Sequence, residues 1–171
     1  YVQQRTQIRT AARQLNVATA DLLERIDSLL VEQDKLIRQL EQLKLAGEIS
    51  ADELLEQALE IQGSTVVVAE AKGANPGLMR NLIDQIRKKI EPSAVLLLAS
   101  QGQDKVVLVA GISRTLVEQG ANAGNWVREV APVVGGGGGG KPEMAQAGGK
   151  DASQIPQAIE KAVAVITAML S

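Results

Sequence analysis

The stretch with chemical character is GGGGGGKPEMAQAGGK, residues 135–150. It opens on six glycines, Gly135, Gly136, Gly137, Gly138, Gly139 and Gly140, followed by Lys141. A second glycine pair, Gly148 and Gly149, precedes Lys150. Each glycine loses more backbone freedom on folding than any other residue would. Consecutive N–H groups without Cβ atoms can point at an anion or lie flat against a base or ribose. Lys141 and Lys150 would then supply phosphate contacts. A flexible linker is the competing reading. Such a linker would continue in Gly and Ser, whereas this run turns at once into Lys, Pro, an acid and Met. Two familiar phosphate loops do not fit. The Walker A pattern needs Gly-Lys followed by Ser or Thr, and here Pro142 follows Lys141. A dinucleotide fingerprint follows a strand, and this run follows an expected helix.

The 171 residues include no His and no Cys. The commonest general base and the commonest metal ligand are therefore missing, along with any thiolate. No catalytic residue, metal site or bound cofactor is assigned. Aromatic residues are Tyr1 and Trp126 alone, with no Phe, so no aromatic platform is offered to stacked bases. Trp126 reads as core filling beside Val127 and Val130. Residues 1–62 carry 7 Lys/Arg against 11 Asp/Glu, a net of −4, while residues 63–171 carry 11 against 9, a net of +2. The second part is the place to seek a polyanion, but it is only mildly basic. Arg114 and Lys72, each following a predicted strand, are further candidate contacts.

The elements that must hold this motif can be read from periodicity. Ile8, Leu15, Leu22, Leu29, Leu36 and Leu43 recur every seven residues, with Ala12, Thr19, Ile26, Gln33 and Leu40 four residues on. Leu23, Leu30 and Ile37 widen this seam. Asn16 is expected to end one helix, Thr19 to cap the next, and Gly47 to stop it. Ser50 and Glu53 form a capping box before a helix containing Leu54, Leu55, Ala58, Leu59 and Ile61. Residues 1–62 are thus expected to be a helical arm, folded as a hairpin or coiled coil, able to support a weak homodimer.

From Gly63 the period changes. Residues 64–71, 94–100 and 105–112 are short apolar runs of strand type. The helix expected at 75–90 would make the first two strands parallel by a right-handed crossover. The turn at 100–104 would pair the second and third strands as a hairpin. A helix is expected at about 121–133, a short edge strand at 144–149, and a last helix from Asp151 or Ser153 to about Leu170. Residues 63–171 therefore predict a small α/β sandwich, and the fold class is α/β.

The stretch VREVAPVVGGGGGGKPEMAQAGGKD resembles the C-terminal signature of alanyl-tRNA synthetases, G-G-G-G-G-G-[RK]-P-[DE]-M-A-Q-A-G-G. The likeness extends upstream through KVVLVAGISRTLVEQGANAGNWVREV and VVVAEAKGANPGLMRNLIDQIRKKI, and the heptads resemble that family's helical linker. The resemblance implies the domain often called C-Ala, which shares its fold with the DHH-associated domain of RecJ-like phosphoesterases. It implies a non-catalytic module that contacts the outer corner of alanine-specific tRNA, where the D and T loops meet. That module would bridge N-terminal aminoacylation and editing domains of the same chain, which would hold ATP, magnesium and zinc. A free-standing alanyl-tRNA editing protein, or the nucleotide-binding tail of a DHH-type phosphoesterase, are the alternatives. With no signal-peptide pattern or membrane-spanning run, the chain is expected to be a piece of a longer cytoplasmic protein ending at Ser171.

Overall fold

A computed structural model describes residues 2–102 and 104–171, with the side chains of residues 2–5 and 40–48 outside the description. The chain divides into two compact units, Tyr1–Leu43 and Lys44–Ser171.

The first unit holds helix α1 (Val2–Gln14), a 3₁₀ turn (Thr19–Asp21) and most of helix α2 (Leu22–Glu48). Asn16 adopts a positive φ of 54° beyond α1, as expected of a residue that ends a helix. Thr19 does not cap α2. It opens the 3₁₀ turn, whose N-cap is Ala18 and which has no side-chain cap. Gly47 does not stop α2 either, because the helix runs through it to Glu48. Ile8, Leu23, Ile26, Leu30, Leu36 and Ile37 of the seam are exposed, as is Val31 beside it. The side chains of Arg5, Leu40 and Leu43 lie outside the described residues.

The second unit is a six-stranded sheet covered on both faces. The expected capping box is present: Glu53 N–H donates to Ser50 Oγ, and Ser50 N–H to Glu53 Oε2, each at 3.1 Å. Helix α3 (Ala51–Glu56), however, closes after six residues. Residues predicted to continue it form strand β1 (Leu59–Ile61), which turns through Gln62 and Gly63 into β2 (Ser64–Glu70). Leu59 and Ile61 suit a helical pattern because they lie four and three residues beyond Leu55 and Ala58, whereas their two-residue spacing from each other is that of a strand.

Helix α4 (Pro76–Lys89) starts where Asn75 Oδ1 accepts from Leu78 N–H at 2.8 Å and Pro76 takes a first-turn position that needs no donor. It buries Met79, Leu82, Ile83 and Ile86. Strand β3 (Ser93–Ser100) runs parallel to β2, and β4 (Val106–Ile112) runs antiparallel to β3, as predicted. Both strands are buried almost throughout, which accounts for their continuous rather than alternating apolar runs. Leu96, Leu98 and Leu108 face one side, with helices α5 (Arg114–Glu118), α6 (Ala123–Val130) and α7 (Ile155–Leu170). Val95, Leu97, Val107 and Val109 face the other side, with α3 and α4. Trp126 is fully buried on α6, and its indole N–H donates to Ala162 O at 2.9 Å, so it is core. Asp151 caps a 3₁₀ turn (Ala152–Gln154) that leads into α7.

The sheet ends differently from the sequence expectation. Its order is β1-β2-β3-β4-β6-β5. Strand β6 (Met144–Gly149) lies inside the sheet, antiparallel to β4. The edge is β5 (Gly137–Gly140), built from four of the six glycines.

A candidate nucleic-acid interface on the glycine strand

The glycine run forms a hairpin with β6. Gly137 pairs with Gly148, Gly138 with Ala147, Gly139 with Gln146 and Gly140 with Ala145. The chain enters the hairpin from a 3₁₀ turn (Ala131–Val134) through Gly135, whose φ of +65° is a left-handed turn that glycine takes without strain. Gly136 N–H then donates to Ala131 O at 3.0 Å. The connection from Lys141 to Glu143 is held from both sides. Ala123 N–H donates to Pro142 O at 2.9 Å, and Ile112 N–H donates to Glu143 O at 3.0 Å.

The six glycines do different jobs. A Cβ on Gly136 would overlap the Gly148 carbonyl, and one on Gly138 would overlap the Ala147 backbone. A Cβ on Gly140 would stand 2.6 Å from Ala145 Cα, closer than real Cβ atoms approach. These alternate glycines are therefore steric requirements of pairing with β6. Gly149, whose Cβ would meet Val134 O at 2.7 Å, belongs with them. Gly137 has open space where a Cβ would go, and a Cβ on Gly139 would meet only the Arg128 guanidinium, at 3.4 Å from Nε. Gly148 is likewise unobstructed, with Val106 O at 3.9 Å. The fold leaves room for a side chain at Gly137, and the strand keeps it bare.

Beside this strand, on the α4 side of the sheet, lies a groove of about 520 Å³. It is lined by Gly135–Gly137, by Gln146 of β6 and Lys150 after it, and by Pro76, Gln101 and Lys105. Two lysines thus border the bare backbone.

The predicted cations do not gather at one place. Lys150 follows β6 at the end of the sheet where β5 begins, and Lys72 follows β2 at that same end. Lys141 and Arg114 sit at the opposite end, after β5 and β4. Lys141 and Lys150 are therefore separated by the length of the hairpin, roughly 20 Å at about 3.3 Å per residue. Arg114 is exposed and pairs with Glu118 at 3.2 Å on its own helix turn. Sequence reasoning missed three positive side chains beside the glycine hairpin. Lys105 lines the groove, Arg128 lies over Gly139 from α6, and Arg80 of α4 donates to Gln146 Oε1. Their signal was weak. Each is an outward residue of a well-predicted element, and its relation to the glycines exists only once the run is a strand.

Among the described residues, no cluster of three or more His, Cys, Asp or Glu could hold a metal ion. No described helix is long and apolar enough to cross a membrane.

Comparisons with known proteins bear on this surface. The family model of the DHHA1 domain matches residues 63–168. The chain is 51% identical over 166 residues to an alanine–tRNA ligase of Rhodopirellula baltica, covering 97% of this chain but 18% of that protein. It therefore spans under a fifth of the length of this curated relative. The crystal structure of the C-Ala domain from Aquifex aeolicus alanyl-tRNA synthetase superposes with a TM-score of 0.57 at 31% identity, covering 67% of this chain and 97% of that one. RecJ from Thermus thermophilus superposes with a TM-score of 0.54 over 92% of this chain and 27% of its own. At 18% identity it shares the fold alone.

Proposed function

The chain belongs to the DHHA1 domain family, and from that premise we propose that it is the tRNA-binding module of an alanine–tRNA ligase, itself without catalytic activity. Two similarities support the ligase: 51% identity to one along almost the whole chain, and 31% identity to a C-Ala domain that the chain nearly covers. The ligand is alanine-specific tRNA, and the surface is the bare edge strand β5 with the groove beside it. The observation that carries this reading is Gly137. It is exposed and unobstructed, so its lack of a side chain is not required by packing. At the first residue of an edge strand, glycine still loses more backbone freedom on folding than Ala would. A binding surface that needs the backbone itself offsets that loss.

The part of the tRNA engaged is the elbow, where the D and T loops meet in a flat tertiary base pair and the phosphates turn tightly. A strand without side chains approaches such a surface more closely than a bulky loop. Recognition by shape and ribose suits RNA better than groove reading. Lys150 and Lys105 supply phosphate contacts at the groove, with Lys72 at the same end. Lys141 and Arg114 contribute only if the RNA spans the hairpin. The module bridges aminoacylation and editing domains elsewhere in the same cytoplasmic protein, where ATP, magnesium and zinc are used.

The test compares the affinity of the chain for whole alanine tRNA with that for an acceptor minihelix lacking the elbow. Whole tRNA should bind at least tenfold more tightly, about 1.4 kcal/mol. Equal affinities would overturn the elbow assignment, and turnover of mischarged tRNA by the purified chain would overturn the non-catalytic one.

A further inference from the structure

The groove beside β5 carries a hydrogen-bond polarity that is set from outside it. Gln146 lines the groove and lies across from Gly139. Its Oε1 accepts from Arg80 Nη2, a contact that joins α4 to β6 across 66 residues of sequence. A guanidinium has donors only, so the end of the amide that it holds must be the oxygen. The amide nitrogen, with two donors, is then the end of the side chain that Arg80 does not hold. The other walls agree in sign. Lys105 and Lys150 are cations, and no residue lining the groove is acidic among those described. Of the side chains lining it, Gln101 is the one left with an acceptor, because its Nε2 is engaged with Ala74 O at 3.0 Å.

We propose that Arg80 is a positioning residue that fixes Gln146 as a hydrogen-bond donor, and that the groove so built takes a phosphate oxygen of the bound RNA. The inference rests on the tRNA reading above and deepens it. A phosphate accounts for two lysines and a held amide lining one groove beside bare backbone, where a neutral base carbonyl would account for the amide alone. Arg80 need not touch the RNA. It acts by denying the amide its other orientation, in which the oxygen would face the phosphate and repel it.

The decisive variant is Gln146→Glu. A carboxylate keeps a partner for Arg80, so the link between α4 and β6 survives. The groove, however, receives a negatively charged oxygen in place of a donor. The melting temperature should be unchanged or raised, while affinity for alanine tRNA should fall by about tenfold or more. Arg80→Ala should weaken binding several-fold by freeing the amide, and Arg80→Lys should restore most of it, since one donor suffices to hold Oε1. In ethylnitrosourea footprinting of the tRNA, the unmodified chain should protect a phosphate that Gln146→Glu leaves open. If Gln146→Glu binds as well as the unmodified chain, or loses affinity with every phosphate protection intact, the inference is wrong. Failure of the unmodified chain to bind tRNA at all would instead overturn the tRNA reading on which it rests.

Discussion

Gly138 lies opposite Ala147 in the β5–β6 pair, so close that a methyl group on Gly138 would overlap the Ala147 backbone. One step away, Gly137 would admit the same methyl group without touching anything. Adjacent glycines of one run are therefore expected to respond to the same substitution in opposite ways. Gly138→Ala should destabilise the chain by about 1–3 kcal/mol, as overpacking does, and lower Tm by several degrees. Gly137→Ala should leave Tm unchanged or slightly raised, because it reduces the freedom of the unfolded chain, yet weaken tRNA binding. Thermal melts and tRNA titrations of the two variants test this together. Equal Tm losses would show that both glycines serve packing alone.

The expected fold of the second unit was legible wherever side chains carried a period. The apolar runs around residues 64, 94 and 106, and the face of Met79, Leu82, Ile83 and Ile86, specified the crossover and the hairpin. Strand β5 was not legible because four glycines have no alternation to read and low strand propensity. Its pairing is imposed by β6, which itself reads as an edge strand until β5 is placed outside it. The error propagated to the site. With the run unassigned, Lys141 and Lys150 looked like two ends of one binding loop, although the hairpin holds them at opposite ends. Arg80 and Arg128 carry no signal in the sequence because their neighbours, Gln146 and Gly139, lie 66 and 11 residues away. The capping box at Ser50 is present, but the helix it begins ends at Glu56, short of the expected Ile61. A cap marks where a helix starts and says nothing of where it ends.

Trp126 provides a check that the nucleic-acid surface lies where β5 is and not on the helical layer. Its ring is fully buried and its N–H is satisfied by Ala162 O. Trp126→Phe should lower stability by about 1–3 kcal/mol through a smaller ring and the loss of the indole hydrogen bond to Ala162 O. Affinity for tRNA, measured well below the melting temperature, should not change. A specific loss of binding with stability intact would mean that the indole reaches the RNA.

Helix α2 exposes Leu23, Ile26, Leu30, Leu36 and Ile37 along a widened heptad seam interrupted by Gln33. Exposed apolar stripes of this kind favour association, and a polar residue on the seam limits its strength. The chain is expected to be monomeric at nanomolar concentration and to self-associate weakly at high micromolar concentration, with Leu30→Lys removing the association. Sedimentation equilibrium across that range decides it. A dimer that persists at nanomolar concentration and is lost on Leu30→Lys would show the seam to be a strong intermolecular interface, and one that survives Leu30→Lys would place the contact elsewhere.

The salt dependence of tRNA binding separates the two ends of the hairpin. Each phosphate neutralised by a cation contributes about −0.7 to −0.9 to the slope of log affinity against log salt. Lys105 and Lys150 border the groove together, whereas Lys141 stands beyond the far end of β5. If the groove is the point of contact, Lys105→Ala and Lys150→Ala should each weaken binding by about 1 kcal/mol and flatten the slope by nearly one unit. Lys141→Ala should do so only if the RNA follows the strand along its whole length. For the unmodified chain, about three such contacts imply a slope near −2 to −3, shallow for a protein that binds nucleic acid. That value agrees with a unit whose affinity comes from close approach of bare backbone, since residues 63–171 carry a net charge of only +2. Titrations of the three variants over a salt series, with the acceptor minihelix alongside, distinguish the arrangements. A much steeper slope, shared equally by all three lysines and by the minihelix, would mean that the chain holds RNA by diffuse charge, and Gly137 would then have no part in recognition.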